Sequence, residues 1–216
     1  MKLGNLIYSP EEFGIFNYRW ENDKLYCNDP VDLSFKQLEE LPFDFIYAPS
    51  FNCSYNKLKS LQGIPEKCNQ LFANNNLLEE IDVLPKICKF IDVSENPLKE
   101  IPDFKKVEEL FELDLKNLKE VSNWNDLFVV QSMNLSYSSI KDLSIFNDKK
   151  IESLYLKSTG IESVEGLVVE LMLYLRGCKN LKTLKGLKIL PITLIVRDCG
   201  EDEVKLEKEV GYKKAR

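Results

Sequence analysis

The chain repeats a pattern every twenty residues. "VDLSFKQLEEL" from Val31, "FNCSYNKLKSL" from Phe51, "LFANNNLLEEI" from Leu71, "IDVSENPLKEI" from Ile91 and "FELDLKNLKEV" from Phe111 start 20 residues apart, with apolar or small residues at offsets 0, 2, 7 and 10. The pattern continues at looser spacing as "MNLSYSSIKDL" from Met133, "LYLKSTGIESV" from Leu154, "LYLRGCKNLKTL" from Leu173 and "LIVRDC" from Leu194. A unit this short cannot bury its apolar face alone, so successive units must stack around a shared core. Offsets 0 and 2 alternate like a short strand with one buried face. The chain turns at offset 5, and offsets 7 and 10 send two more side chains inward.

Offset 5 is asparagine at Asn56, Asn76 and Asn96. A turn leaves inward backbone groups without strand partners, and an asparagine side chain both donates and accepts. These three residues are therefore expected to form a structural ladder. Lys36, Lys116, Ser138, Thr159, Cys178 and Cys199 occupy the offset elsewhere. Ser, Thr and Cys partly replace the role; at Lys116 the neighbouring Asn117 is expected to serve through a local shift.

The spacers differ between the halves. "GIPEKC" and "VLPKIC" carry Pro65 and Pro85 one period apart and favour extended segments over a full helix. "VEGLVVE" and "LKGLKIL" carry Gly166 and Gly186.

These residues together resemble the leucine-rich repeat family, with its pattern LxxLxLxxNxLxxL. The first half is similar to the short bacterial repeats of secreted effectors, and the L-x-G-L turns of the second half to internalin-like repeats. The resemblance implies a curved right-handed solenoid with a parallel β-sheet on its concave face and short extended or 3-10 segments on its convex face. About nine strands at ~4.8 Å spacing make it roughly 40 Å long. Residues 1–30 precede the repeat, and "FGIFNYRW" is expected to cap its first coil. Residues 31–200 form the repeat domain and 201–216 an edge or tail.

Enzyme chemistry finds little support. The 216 residues contain no histidine, the commonest general base and a frequent metal ligand, and no phosphate-binding or dinucleotide-binding glycine motif. No catalytic, cofactor or metal residues are expected. Related effectors often carry a separate ubiquitin-ligase domain with a catalytic cysteine, but here only a short tail follows Cys199, which lies in the repeat frame. The six cysteines form no C-x-x-C pair and read as reduced, mostly buried residues. A net charge of -6 with both signs interspersed argues against a nucleic-acid or membrane-surface partner. The opening "MKLGNLIYSPEE" lacks an apolar signal core. A monomer in the cytoplasm, or one exported into a host cell without a classical signal, is the expectation.

Residues between the inward strand positions are expected to face a partner. Phe72, Asp92, Glu112, Tyr155 and Tyr174 fall at offset 1, and Asp114, Lys157, Arg176 and Arg197 at offset 3. Phe35, Tyr55, Leu115 and Tyr137 fall in the adjoining offset-4 column. Alternation sends offsets 1 and 3 to one sheet face. Aromatic and arginine side chains on a rigid face make binding hot spots, so a protein or peptide on the concave face is the expected ligand. A regulatory subunit, an enzyme inhibitor and a purely structural solenoid are the alternatives.

Overall fold

The computed structural model describes residues 2–3 and 6–211. Met1, Gly4 and Asn5 of the expected cap and residues 212–216 of the expected tail lie outside the described residues. The chain divides into two compact units, Met1–Phe111 and Glu112–Arg216. Each is a run of parallel-stranded β-solenoid.

In the first unit β1 (Lys2–Leu3) and β2 (Leu6–Ile7) pair antiparallel. A hairpin of β3 (Tyr18–Glu21) and β4 (Lys24–Cys27) follows. Its two-residue turn, Asn22 and Asp23, has φ of 49° and 60°, the left-handed conformation that suits both residues and matches strand twist. After β5 (Val31–Asp32), β6 (Phe45–Tyr47) runs parallel to β4. Ile15, Leu25 and Cys27 are buried, and the Phe13 and Trp20 rings stand 5.6 and 6.1 Å from Phe43. Phe16 stays 74% exposed. The repeat strands are β5, β7 (Ser50–Asn52), β8 (Gln70–Phe72) and β9 (Phe90–Asp92). They are parallel, with Val31, Phe51, Leu71 and Ile91 in register.

In the second unit the strands are β10 (Glu112–Asp114), β11 (Ser132–Asn134), β12 (Lys150–Tyr155), β13 (Val168–Tyr174) and β14 (Thr193–Ile195). Leu113, Met133, Leu154, Leu173 and Leu194 are in register. Four turns in the first unit and five in the second make nine. Spacers are extended or contain one 3-10 turn, at Phe104–Lys106, Trp124–Asp126 and Ser144–Phe146. The α-helix among the described residues is α1 (Glu203–Glu209), which buries Leu206 against the last turns.

The core is the sum of the inward offsets. Phe51, Leu58, Leu61, Leu71, Leu78 and Ile91 have no accessible surface, nor do Leu154, Leu156, Leu173 and Leu175. Burying one such side chain contributes about 1.5–3 kcal/mol, and each is shared with the neighbouring turns.

One turn departs from the twenty-residue frame. Leu113, not Phe111, is in register with Met133, so the expected offset 0 at Phe111 is wrong by two residues. Phe111 is 43% exposed, whereas Leu115, expected on the open face, is fully buried. The intervening turn is two residues longer and holds the 3-10 turn at Phe104–Lys106. Asn117 consequently does not take the ladder position. Its backbone has φ 62° and its N–H donates to Ser136 O at 2.8 Å, while the buried Leu118 fills the place that Asn96 has in its own turn.

Candidate functional site

The face is held rigid by side chains beneath it. Asn76 Nδ2 donates to Cys53 O of the preceding turn and Ala73 O of its own at 3.0 and 3.1 Å, and its Oδ1 accepts from Leu58 N at 3.0 Å. Asn96 repeats this with Ala73 O, Val93 O and Leu78 N. Asn56 bonds Leu33 O and Cys53 O, and accepts from Lys36 N and Leu38 N. In the second unit shorter groups reach fewer carbonyls. Ser138 and Thr159 hydroxyls donate to Leu135 O and Leu156 O at 2.6 and 2.8 Å, and the Cys178 and Cys199 thiols reach back to Leu156 O and Leu175 O. All six cysteines are free thiols.

A second device sits on the face itself. At the residue after the first inward position, an Asp or Asn Oδ1 accepts the backbone N–H two residues on, a local turn that ends the strand. Asp32 does so for Ser34, Asn52 for Ser54, Asp92 for Ser94, Asp114 for Lys116 and Asn134 for Ser136, at 2.9–3.1 Å. The other Asp114 oxygen accepts from Asn134 Nδ2 at 2.8 Å. Asp92 and Asp114, expected to meet a partner, therefore also hold strand ends. Glu112 lies on the same face one residue before the inward Leu113 and is exposed.

Four turns give this device up. Their equivalent residues are Phe72, Tyr155, Tyr174 and Ile195, none able to accept the N–H. In place of a carboxamide, Ser136 Oγ of the preceding turn accepts from Lys157 N at 3.2 Å. The Tyr155 and Tyr174 rings lie 6.2 Å apart, tilted by 33°, on adjacent strands β12 and β13. In the first unit Phe72 lies 5.2 Å from Phe90.

Around the tyrosines the second unit arrays charge. Lys157 Nζ lies 4.9 Å and Lys116 Nζ 5.9 Å from the centre of the Tyr137 ring. Arg176 Nε donates to Asp198 Oδ2 at 3.1 Å. That bond, with a second involving Tyr174, holds the guanidinium above its ordinary pKa. Arg197 is exposed one turn further on.

In the offset-4 column the backbone is left-handed in every turn. Phe35, Tyr55, Asn75, Glu95, Asn117, Tyr137, Ser158, Gly177 and Asp198 all have φ between 54° and 75°. Asn, Asp and Gly tolerate this conformation, whereas aromatic residues rarely adopt it. Phe35 and Tyr55 nevertheless stack at 4.3 Å with 68% and 45% of their surface exposed. Asn75, Asn117, Gly177 and Asp198 are the residues at this offset that signal it in the sequence.

Among the described residues no group of three or more His, Cys, Asp or Glu is placed to hold a metal ion, and no helix is long and apolar enough to cross a membrane. No protein-family model and no curated protein matches the chain.

Proposed function

We propose that the chain is a leucine-rich repeat protein acting as a non-enzymatic docking module, which binds a protein or peptide on the open face of its parallel sheet. The repeat class is supported by the inward leucines, the asparagine ladder and the short spacers. The docking role rests on one observation: at Tyr155 and Tyr174 the residue that elsewhere closes a strand end is replaced by an aromatic ring beside Lys157 and Arg176. Nothing in the local fold calls for a ring there. A rigid aromatic pair with neighbouring cations is the composition of binding hot spots.

The test compares affinity capture by the native chain and by a Tyr155→Ala, Tyr174→Ala, Arg176→Ala variant, with circular dichroism to check folding. The reading expects specific partners to be lost while the spectrum is unchanged. Retention of every partner at full affinity overturns it.

A further inference from the structure

Lys157, Arg176 and Arg197 form a single column. Each lies three residues beyond Leu154, Leu173 or Leu194, whose positions are paired strand to strand. The column therefore takes the strand spacing, about 4.8 Å, and its ends lie about 9.6 Å apart. Positions on either side of each inward leucine are uncharged: Ser153 and Tyr155, Met172 and Tyr174, Thr193 and Ile195. Asp198 lies in these turns and engages Arg176 through Nε, and Tyr174 makes a second bond to the same guanidinium, which leaves its remaining N–H groups as donors. Lys157 rests over an aromatic ring, and the Arg197 guanidinium has no carboxylate partner among the described residues.

We infer that this column and the tyrosines beside it receive an acidic α-helical segment of a partner protein, an inference that rests on the docking function proposed above. The cations select the charge, because carboxylates meeting arginine form charge-assisted hydrogen bonds. The spacing selects the helix. Helical residues i, i+3 or i+4, and i+7 rise by about 4.5–6.0 Å and 10.5 Å, close to the second and third cations of the column. An extended chain places same-side residues about 6.8 and 13.6 Å along, overshooting the third cation by about 4 Å. Apolar residues on the flank of the same helix would lie over Tyr155, Tyr174 and Ile195.

The experiment selects binders for the full chain from two peptide libraries of equal length, one built on an alanine-rich helix with randomised outward positions, one kept extended by interspersed proline. Helical clones carrying Asp or Glu at i, i+3 or i+4, and i+7 are expected. Their affinity should fall about tenfold or more with Lys157→Glu and Arg197→Glu together, and fall with rising salt. Acidic clones arising only from the extended library overturn the helix. Clones without acidic bias that are nevertheless lost on Tyr155→Ala and Tyr174→Ala overturn the acidic partner and leave the docking face standing. Clones insensitive to both pairs of substitutions overturn both readings.

Discussion

Asn76 donates through its amide to Cys53 O, one turn back, at 3.0 Å, and accepts Leu58 N of that same turn at 3.0 Å. One buried side chain thus satisfies backbone groups on both sides of a bend. Asn76→Ala leaves them unpaired and should cost about 1–3 kcal/mol. Its neighbours differ from it and from each other. Asn75 has φ 54°, so Asn75→Ala should cost about 1 kcal/mol from backbone conformation alone, and Asn75→Gly almost nothing. Asn74→Ala should be nearly silent. Urea denaturation of the variants checks the order, and equal losses at all three positions would contradict the ladder.

The shifted turn makes a sharper prediction. Leu115 is fully buried and Phe111 is 43% exposed. Leu115→Ala should cost about 2–5 kcal/mol, and Phe111→Ala less than about 1 kcal/mol. The reverse order, read from denaturation midpoints, would restore the uniform frame.

That shift explains what the sequence could and could not reveal. Strand position and face follow from alternation, and most turns keep the predicted inward residues because leucine recurs at all four offsets. In "FELDLKNLKEV" both frames use Leu113 as an inward strand residue, the second in one frame and the first in the other. A slip of two residues preserves every side-chain face, so alternation cannot discriminate between the frames. Only Asn117, suited to the left-handed position, pointed to the longer turn. On the site, the tyrosines and cations were legible as a face. The strand-end role of Asp92 and Asp114 was not, because a carboxylate that accepts a backbone N–H two residues on looks in sequence like any exposed acid.

Restoring the strand-end device should separate stability from binding. Tyr155→Asn places a carboxamide where Asn134 already accepts Ser136 N at 3.1 Å one turn earlier. The carboxamide would take over Lys157 N–H from Ser136 Oγ, which already accepts it at 3.2 Å, so the exchange should change stability by less than about 0.5 kcal/mol, while removal of the ring weakens partner binding. Thermal denaturation and affinity capture of the same variant check both halves. A loss of stability would mean that the ring itself serves the fold.

Glycine is required at the turns of the second unit. Gly166 has φ 82°, and a Cβ there would meet Asn147 Oδ1 at 2.1 Å. Gly166→Ala should destabilise by about 1–2 kcal/mol from the left-handed backbone, plus a steric contribution. Adding Asn147→Ala should recover only that steric part, because it leaves the backbone unchanged. Full recovery in denaturation measurements would show that the clash, not φ, sets the requirement.

The end of α1 should respond to acid. Glu209 Oε2 accepts Leu184 N and Thr183 Oγ1, each at 2.8 Å, which ties the helix to the preceding turn. These bonds favour the charged carboxylate and lower its pKa below the ordinary 4.5, the backbone N–H contributing most. A depressed folded-state value means the stabilisation is fully present above pH 4.5 and is lost as pH falls through the lower folded value. Amide exchange in residues 203–209 should therefore accelerate, after correction for its intrinsic pH dependence, as pH drops below 4.5. In Glu209→Gln, which keeps an acceptor but cannot titrate, the same amides should lose this added pH dependence. If native chain and variant loosen in parallel, the acid response originates elsewhere in the helix.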